Sequence, residues 1–197
     1  MKTNAVERLW VDGPWRTAFI AGEIRFFKGL CEVPPAARIL EVGCGRGAGA
    51  RLILKSYDPE RIHAIDVDPG MIRRAKRWTR RRLARRVDFQ VADAQELPFA
   101  DGCMDAVFSF GILHHLEDWR QGIREVARVP RPGGVFLFEE IYPALYAGFL
   151  LRRILVHPRI DRFDGPLYRA ALEAAGLRLV EGYRETKYTI LGAAIRE

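Results

Sequence analysis

Residues 39–49 read ILEVGCGRGAG. An apolar, strand-like run ends at Glu41, and Gly43, Gly45, Gly47 and Gly49 follow at alternate positions. A chain that leaves a strand through such a loop and then enters a helix lets a ligand press against bare backbone. The loop fits the dinucleotide fingerprint loosely, with Gly43, Gly45 and Ala48 in the three slots. Fingerprints of this kind are short, so the ligand has to be decided by what surrounds the loop.

Working outward, RILEV is a short strand and GAGARLILKSY the helix after it. Upstream, residues 14 to 31 read as a helix. Pro14 suits its first turn, and Phe19, Ile20, Ile24, Phe27 and Leu30 lie near one face. Downstream, RIHAIDVD is a second strand, and Pro69 opens a helix on which Ile72, Ala75, Thr79 and Leu83 recur at helical spacing. VDFQVAD and AVFSFG are the third and fourth strands. DWRQGIREVARV is a helix with Asp118 as N-cap. RPGG reads as a turn and GVFLFEEI as the fifth strand. A helix over 166–175 is closed by Gly176, and LRLVEGYRE with YTILGAAIRE makes a closing strand pair. Strands alternating with helices predict an α/β fold: a Rossmann-like, doubly wound, mainly parallel seven-stranded sheet with a closing antiparallel strand pair. Residues 1–197 read as a single domain. It comprises an N-terminal helix (1–35), a cofactor-binding core (36–141), a lid-like insert (about 142–165) and closing helix and strands (166–197).

The 197 residues, 49% hydrophobic and 29% charged, suit one globular core. Three cysteines, Cys31, Cys44 and Cys103, form no CxxC pair, which points to a reducing compartment and a cytoplasmic location. MKTNAVERLW lacks the apolar core of a signal peptide. IYPALYAGFLL is too short to cross a bilayer, which takes roughly 20 residues. The net charge of +7 is unevenly placed: nine basic residues and no acid lie between Met71 and Arg86, and the rest of the chain is near balance. The bland reading is a solvated helix face. The sharper one is contact with phosphate, as a weak peripheral membrane contact. A nucleic-acid partner finds no aromatic interleaving or recognised motif to support it.

In doubly wound sheets, ligands bind beyond the carboxyl ends of the strands, and the special residues collect there. Strand one ends in Glu41 and the glycine loop, strand two in Asp66, strand three in Asp93, and strand four near Phe110, Gly111, His114 and His115. Each alone is commonplace, since glycine loops are often tight turns and strand-end Asp residues often cap helices. Four in register point to one cleft. Asp66, 23 positions after Gly43, suits ribose hydroxyls, which a nicotinamide dinucleotide and S-adenosylmethionine share. Glu41 separates the two. A pyrophosphate wants a helix N-terminus free of negative charge, whereas a carboxylate suits a ligand carrying an ammonium and a sulfonium. Asp93 adds an acceptor suited to an adenine amine.

At these residues the sequence resembles the class I S-adenosylmethionine-dependent methyltransferases, in particular the small-molecule branch that includes quinone-biosynthesis enzymes. ILEVGCGRGAG is similar to the family's first motif, which places Glu41, Gly43, Cys44, Gly45 and Gly47 around the cofactor. AIDVDPGMIRRA is similar to the second, with Asp66 in the ribose slot and Val67 and Met71 toward adenine. VADAQELPFADGCMDAVFS resembles the stretch that supplies Asp93, Ala94 and, at the end of the fourth strand, Phe110. GILHHLED and VPRPGGVFLFEE match the segments that follow. The resemblance runs over roughly residues 36–141. It implies S-adenosyl-L-methionine as cofactor, with S-adenosyl-L-homocysteine as product, and methyl transfer to a small, apolar acceptor.

Methyl transfer from a sulfonium is an in-line displacement that the protein mainly aligns. An oxygen or carbon nucleophile can also need a base. His114 and His115 are the candidates by position for that task or for holding the acceptor. His63 and His157 read as structural or exposed, and no metal set is evident. The acceptor should meet Trp10, Trp15 and Phe19 and the insert, where YPALYAGFLL stands beside Arg152, Arg153, Arg159 and Arg162. A nucleic-acid methyltransferase, a nicotinamide-dependent oxidoreductase and a non-catalytic cofactor-binding protein are the alternative readings. The oligomeric state is not legible.

Overall fold

The apolar runs at the ends of which the special residues stand pair side by side, and helices cover both their faces. In the computed structural model, which describes residues 13–79, 85–146 and 161–197, the elements come in the expected alternation. Helix α1 (Pro14–Leu30) precedes β1 (Arg38–Val42), α2 (Ala48–Tyr57), β2 (Arg61–Asp66), α3 (Pro69–Trp78) and β3 (Val87–Val91). Then come β4 (Met104–Phe110), a 3-10 turn (Leu113–His115), α4 (Trp119–Arg128), β5 (Pro130–Ile141) and the single turn α5 (Pro143–Tyr146). The chain closes with α6 (Gly165–Ala174), β6 (Leu177–Leu179), β7 (Arg184–Glu185) and β8 (Thr189–Arg196).

The sheet order is β3-β2-β1-β4-β5-β8-β6, with β7 also paired to β8. β1 to β5 run parallel, and β8 runs antiparallel between β5 and β6. The expected seven strands are thus eight strands in seven positions. LRLVEGYRE does not form one strand: Gly182, at φ 92°, turns the chain between β6 and β7. β6 meets Ala194–Arg196 and β7 meets Ile190 and Leu191. The expected RPGG turn is a bulge inside β5. Pro130 pairs with Met104 and Val135 with Ala106, so the intervening residues loop out, with Gly133 at φ 76°.

Strand alternation sorts the core into two layers. Ile39, Ile62, Ala64, Phe108 and Leu137 pack with Ile20, Ile24 and Phe27 of α1 and with α2 and α3. Leu40, Val42, Ile65, Val107, Phe136 and Phe138 pack on the other face against Trp119, Ile123 and Val126 of α4 and Tyr168 and Leu172 of α6. The caps follow the sequence. Asp118 Oδ1 accepts the Gln121 N–H (2.8 Å), and Gly176 takes φ 76° after α6. On α3, Met71, Ile72 and Ala75 are buried while Arg73, Arg74, Lys76 and Arg77 are exposed. Thr79 ends that helix. Trp10, Arg80–Arg82, Leu83, Arg152, Arg153, His157 and Arg159 lie outside the described residues. Among the described residues no helix is long and apolar enough to cross a membrane.

Candidate functional site

The parallel order reverses between β1 and β4, and the glycine loop leaves β1 at that point. Gly43, Gly45 and Gly47 take φ 72°, 51° and 74°, a left-handed conformation that costs other residues about 1–2 kcal/mol. The loop is tied to β2. The Cys44 N–H donates to Ile65 O (2.8 Å), and the Gly45 N–H donates to Asp66 Oδ2 (2.9 Å). Asp66 Oδ1 accepts the Asp68 N–H (2.8 Å). Asp66 therefore shapes the loop, and burial raises its carboxyl above the usual range. Cys44 is buried, and burial pushes its thiol well up. It fills space and is no thiolate nucleophile.

Glu41 is the charged residue at the centre. It is 2% exposed. The Ala50 N–H donates to its carboxylate, yet burial pushes the group up to about 8, with Asp66 adding to the rise and Arg51 and Arg16 opposing it. Its Oε2 is buried with no hydrogen-bond partner among the described residues. A carboxyl so placed is one donor short, and an ammonium such as that of S-adenosylmethionine would supply it. The donor set therefore fits that molecule and works against a pyrophosphate.

Met71 is buried beside the loop and Val67 is half exposed. Asp93 lies two residues past the end of β3 and is exposed. Its Oδ1 accepts the Gln95 N–H (2.9 Å), while Ala94 behind it is buried. Phe110 ends β4. Its ring packs near Phe27 and Phe108, and its carbonyl accepts from Arg16 Nη2 (2.5 Å).

Beyond β4 the structure sets the expected His114 and His115 beside residues that the sequence reading did not single out, Glu140, Glu139 and Arg16. His114 is buried, and its Nδ1 stands 2.7 Å from Glu140 Oε2. The His115 ring lies 4.2 Å from it, centroid to centroid. Glu140 also accepts N–H donors from Ile112 (3.1 Å) and Leu113 (2.8 Å) on Oε1 and from His114 (3.2 Å) on Oε2. Glu139, next in the strand, points to the opposite face. Arg16 bridges it (3.7 Å) to Glu23 (3.6 Å). The signal for both was present in VFLFEE: two acids closing a buried strand, like Glu41 closing β1.

Of the aromatic residues expected on the acceptor side, Trp15 is 65% exposed and Phe19 57%. A cleft of about 380 Å³ opens just past β5, lined by Tyr142, Pro143, Phe163, Leu167 and Lys187 among others. Arg162 donates from the insert to the carbonyls of His114 (2.9 Å) and Leu116 (3.0 Å). Among the described residues no group of three or more His, Cys, Asp or Glu is arranged to hold a metal ion.

The family described as "Methyltransferase domain" matches residues 40–138. A fatty-acid O-methyltransferase of Mycolicibacterium smegmatis is 33% identical over 143 residues, covering 73% of this chain and 44% of that protein. A 2-methyl-6-phytyl-1,4-hydroquinone methyltransferase of Synechocystis is 30% identical over 188 residues, covering 87% of this chain and 57% of that protein. The chain thus spans about half the length of the curated relatives it matches. In fold it is similar to geranyl diphosphate C-methyltransferase from Streptomyces coelicolor, solved with Mg2+, geranyl diphosphate and S-adenosyl-L-homocysteine. The TM-score is 0.73 at 15% identity, over 90% of this chain and 80% of that one. With the matched region running from β1 to β5, through the glycine loop, Asp66 and Phe110, the chain belongs to the S-adenosylmethionine-dependent methyltransferase family.

Proposed function

We propose that this chain catalyses methyl transfer from S-adenosyl-L-methionine to a small, apolar acceptor, releasing S-adenosyl-L-homocysteine. The observation that carries the reading is Glu41: a buried carboxylate, short of one partner, beneath a glycine loop that Asp66 holds in place. When bound, the cofactor supplies an activated methyl group on a sulfonium centre. Glu41 balances the positive charge, and Gly43, Cys44, Gly45 and Gly47 present backbone at close range. Asp66 accepts from the ribose hydroxyls. Val67, Met71 and Ala94 flank the adenine, Asp93 accepts from its amine, and Phe110 walls the methionyl end. His114 and His115 stand on the acceptor side, where Arg162 and Glu140 hold their turn. The cleft past β5, with Tyr142, Pro143, Phe163 and Leu167 in its lining, supports an acceptor with a hydrophobic body. The relatives' named acceptors, a fatty acid and a phytylated hydroquinone, differ in their head groups and support the hydrophobic body alone.

Parallel calorimetric titrations with S-adenosylhomocysteine and NAD test the reading. S-adenosylhomocysteine should bind in the micromolar range, about −8 kcal/mol. Tight NAD binding with no response to S-adenosylhomocysteine would end it. In the same assay Asp66→Ala should weaken S-adenosylhomocysteine by roughly 5- to 150-fold, the equivalent of one buried hydrogen-bonding group at about 1–3 kcal/mol. Because Asp66 also accepts from Gly45 and Asp68, the melting temperature should fall as well. An unchanged affinity would mean that the ribose is held elsewhere.

The buried carboxyl of Glu41 makes binding depend on pH. Its folded value, about 8, lies above the ordinary 4.5. The ligand-free fold therefore favours the protonated form, and this group's contribution to stability is full below pH 4.5 and lost as pH rises toward 8. A cationic ligand favours the ionised form. Affinity for S-adenosylhomocysteine should thus rise roughly tenfold or more between pH 6 and pH 8, with proton release. Titrations in two buffers of different ionisation enthalpy read that release directly. Identical heats, and an affinity flat with pH, would remove Glu41 from the ammonium site.

A further inference from the structure

Three groups meet at the mouth of β4 on the face that carries Glu41 and Phe110. Glu139 pairs with Phe110 across the β4–β5 ladder, and strand alternation puts its side chain on the α1 side, opposite Glu140. Its Oε2 lies 2.9 Å from where a Cβ on Gly111 would stand, and its side chain keeps 14% exposure, against 4% for that of His114. Arg16, reaching in from α1, donates to Phe110 O and lies between Glu139 and Glu23 at 3.7 and 3.6 Å. Glu23 is 8% exposed, and its Oε2 has no hydrogen-bond partner among the described residues. Among the described residues one arginine serves two carboxylates, so this corner of the strand ends is rich in acceptors and short of donors.

Building on the methyltransferase reading above, we propose that Glu139 is the proton acceptor for the methyl acceptor's hydroxyl, and that the site takes neutral alcohols or phenols and rejects carboxylates. The acceptor O–H donates to Glu139. As its oxygen forms the new bond to the methyl carbon, the C–S bond breaks with its electron pair going to sulfur. The proton passes to Glu139 and from there to water. A carboxylate acceptor would bring a negative charge against Glu139 and Glu23, which among the described residues Arg16 alone offsets. Burial raises Glu139 to about 7, with Glu140 adding to the rise and Arg16 opposing it. Glu23 is likewise raised to about 7, by burial and by Glu139. The neighbours that set this balance are Arg16 and Glu23 on α1, Glu140 on β5 and His114 on the 3-10 turn. His114 has its Nδ1 against Glu140, and Glu139 is more accessible than His114.

Two probes, 4-dodecylphenol and dodecanoate, separate the possibilities, with 1-dodecanol, a neutral alcohol of dodecanoate's own carbon count that should side with the phenol, as the control for the phenol's extra ring. Their affinities are measured at pH 8 on protein saturated with S-adenosylhomocysteine, with loading checked by calorimetry first. Wild type should bind the phenol about tenfold or more tighter than dodecanoate, since like charges juxtaposed in a cleft cost heavily. In Glu139→Gln, an isosteric change, dodecanoate should tighten and the preference should collapse. Turnover of the phenol by wild type should rise with pH through about 7. Glu139→Gln should lose that limb and about 10²- to 10⁴-fold in rate. Dodecanoate bound by wild type as well as the phenol, no binding of either probe, or a preference unchanged in Glu139→Gln would each overturn the proposal while the cofactor reading stands. Failure to load S-adenosylhomocysteine would overturn both. The wild-type comparison needs no variant, so a misfolded mutant cannot shield the idea.

Discussion

Replacing Glu140 with alanine is expected to remove about 3–5 kcal/mol of folding stability, because a buried acceptor that serves three backbone N–H groups is lost and each group left unpaired costs about 1–3 kcal/mol. Glu140 is fully buried at the end of β5. One carboxylate gathers the N–H groups of Ile112, Leu113 and His114 and the His114 ring nitrogen. These are the donors of the turn that follows β4, where the chain has left the sheet ladder and has no strand to satisfy them. Alanine strands three amides at once, two of them buried and that of Ile112 partly so, and a buried donor left unpaired costs about 1–3 kcal/mol. Glu140→Gln keeps a carbonyl oxygen for Ile112 and Leu113 but sets an amide NH2 against the His114 backbone N–H. It should fall between wild type and alanine. Urea unfolding of the three proteins at pH 7 measures the series. Alanine within about 1 kcal/mol of wild type would mean that the turn finds other acceptors, and that Glu140 does not organise it.

Much of this frame is legible in the chain itself because the strands are short, apolar and punctuated. Glu41 and Asp66 stand where a buried run stops and a loop begins, so their position in the cleft follows from the end of the strand alone. The limits come from parity and distance. In VFLFEE both faces of β5 are buried, so no polar alternation shows that Glu139 and Glu140 point to opposite layers. Arg16 meets Phe110 across 94 residues, and nothing local to α1 announces that one of its arginines turns inward. His114 looks like a free imidazole until Glu140, 26 residues on, is seen against it. LRLVEGYRE reads as one strand because glycine is tolerated in strands. Only the left-handed Gly182 divides it. Asp93 was expected at a strand end, but β3 closes at Val91, and the carboxylate spends one oxygen on its own turn.

The glycine loop carries the other large effect, and the position that matters most is not one of its left-handed glycines. Gly49 lies in the first turn of α2, in ordinary helical backbone where alanine is usually welcome. A Cβ there would overlap Glu41 Oε1 and come within 3.0 Å of Phe110 Cε2. Glu41 has nowhere to retreat, because its carboxylate is buried under the helix and takes the Ala50 N–H. Gly49→Ala must therefore push the carboxylate out of place or lift α2 from the sheet. Overpacking of this kind costs about 1–3 kcal/mol. A shift of this size in a binding group can cost about 10²-fold, so S-adenosylhomocysteine affinity should fall by roughly that factor. Two other glycines calibrate the result. Gly45→Ala meets no atom within 4 Å but is held at φ 51°, so it should lose only the conformational cost of about 1–2 kcal/mol. Gly22→Ala, on α1 with open space around it, should gain about 0.4–1 kcal/mol. Thermal melts with and without S-adenosylhomocysteine rank the three. If Gly49→Ala melts and binds like Gly22→Ala, Glu41 is not wedged beneath α2, and the cofactor's cationic end must be met by some other group.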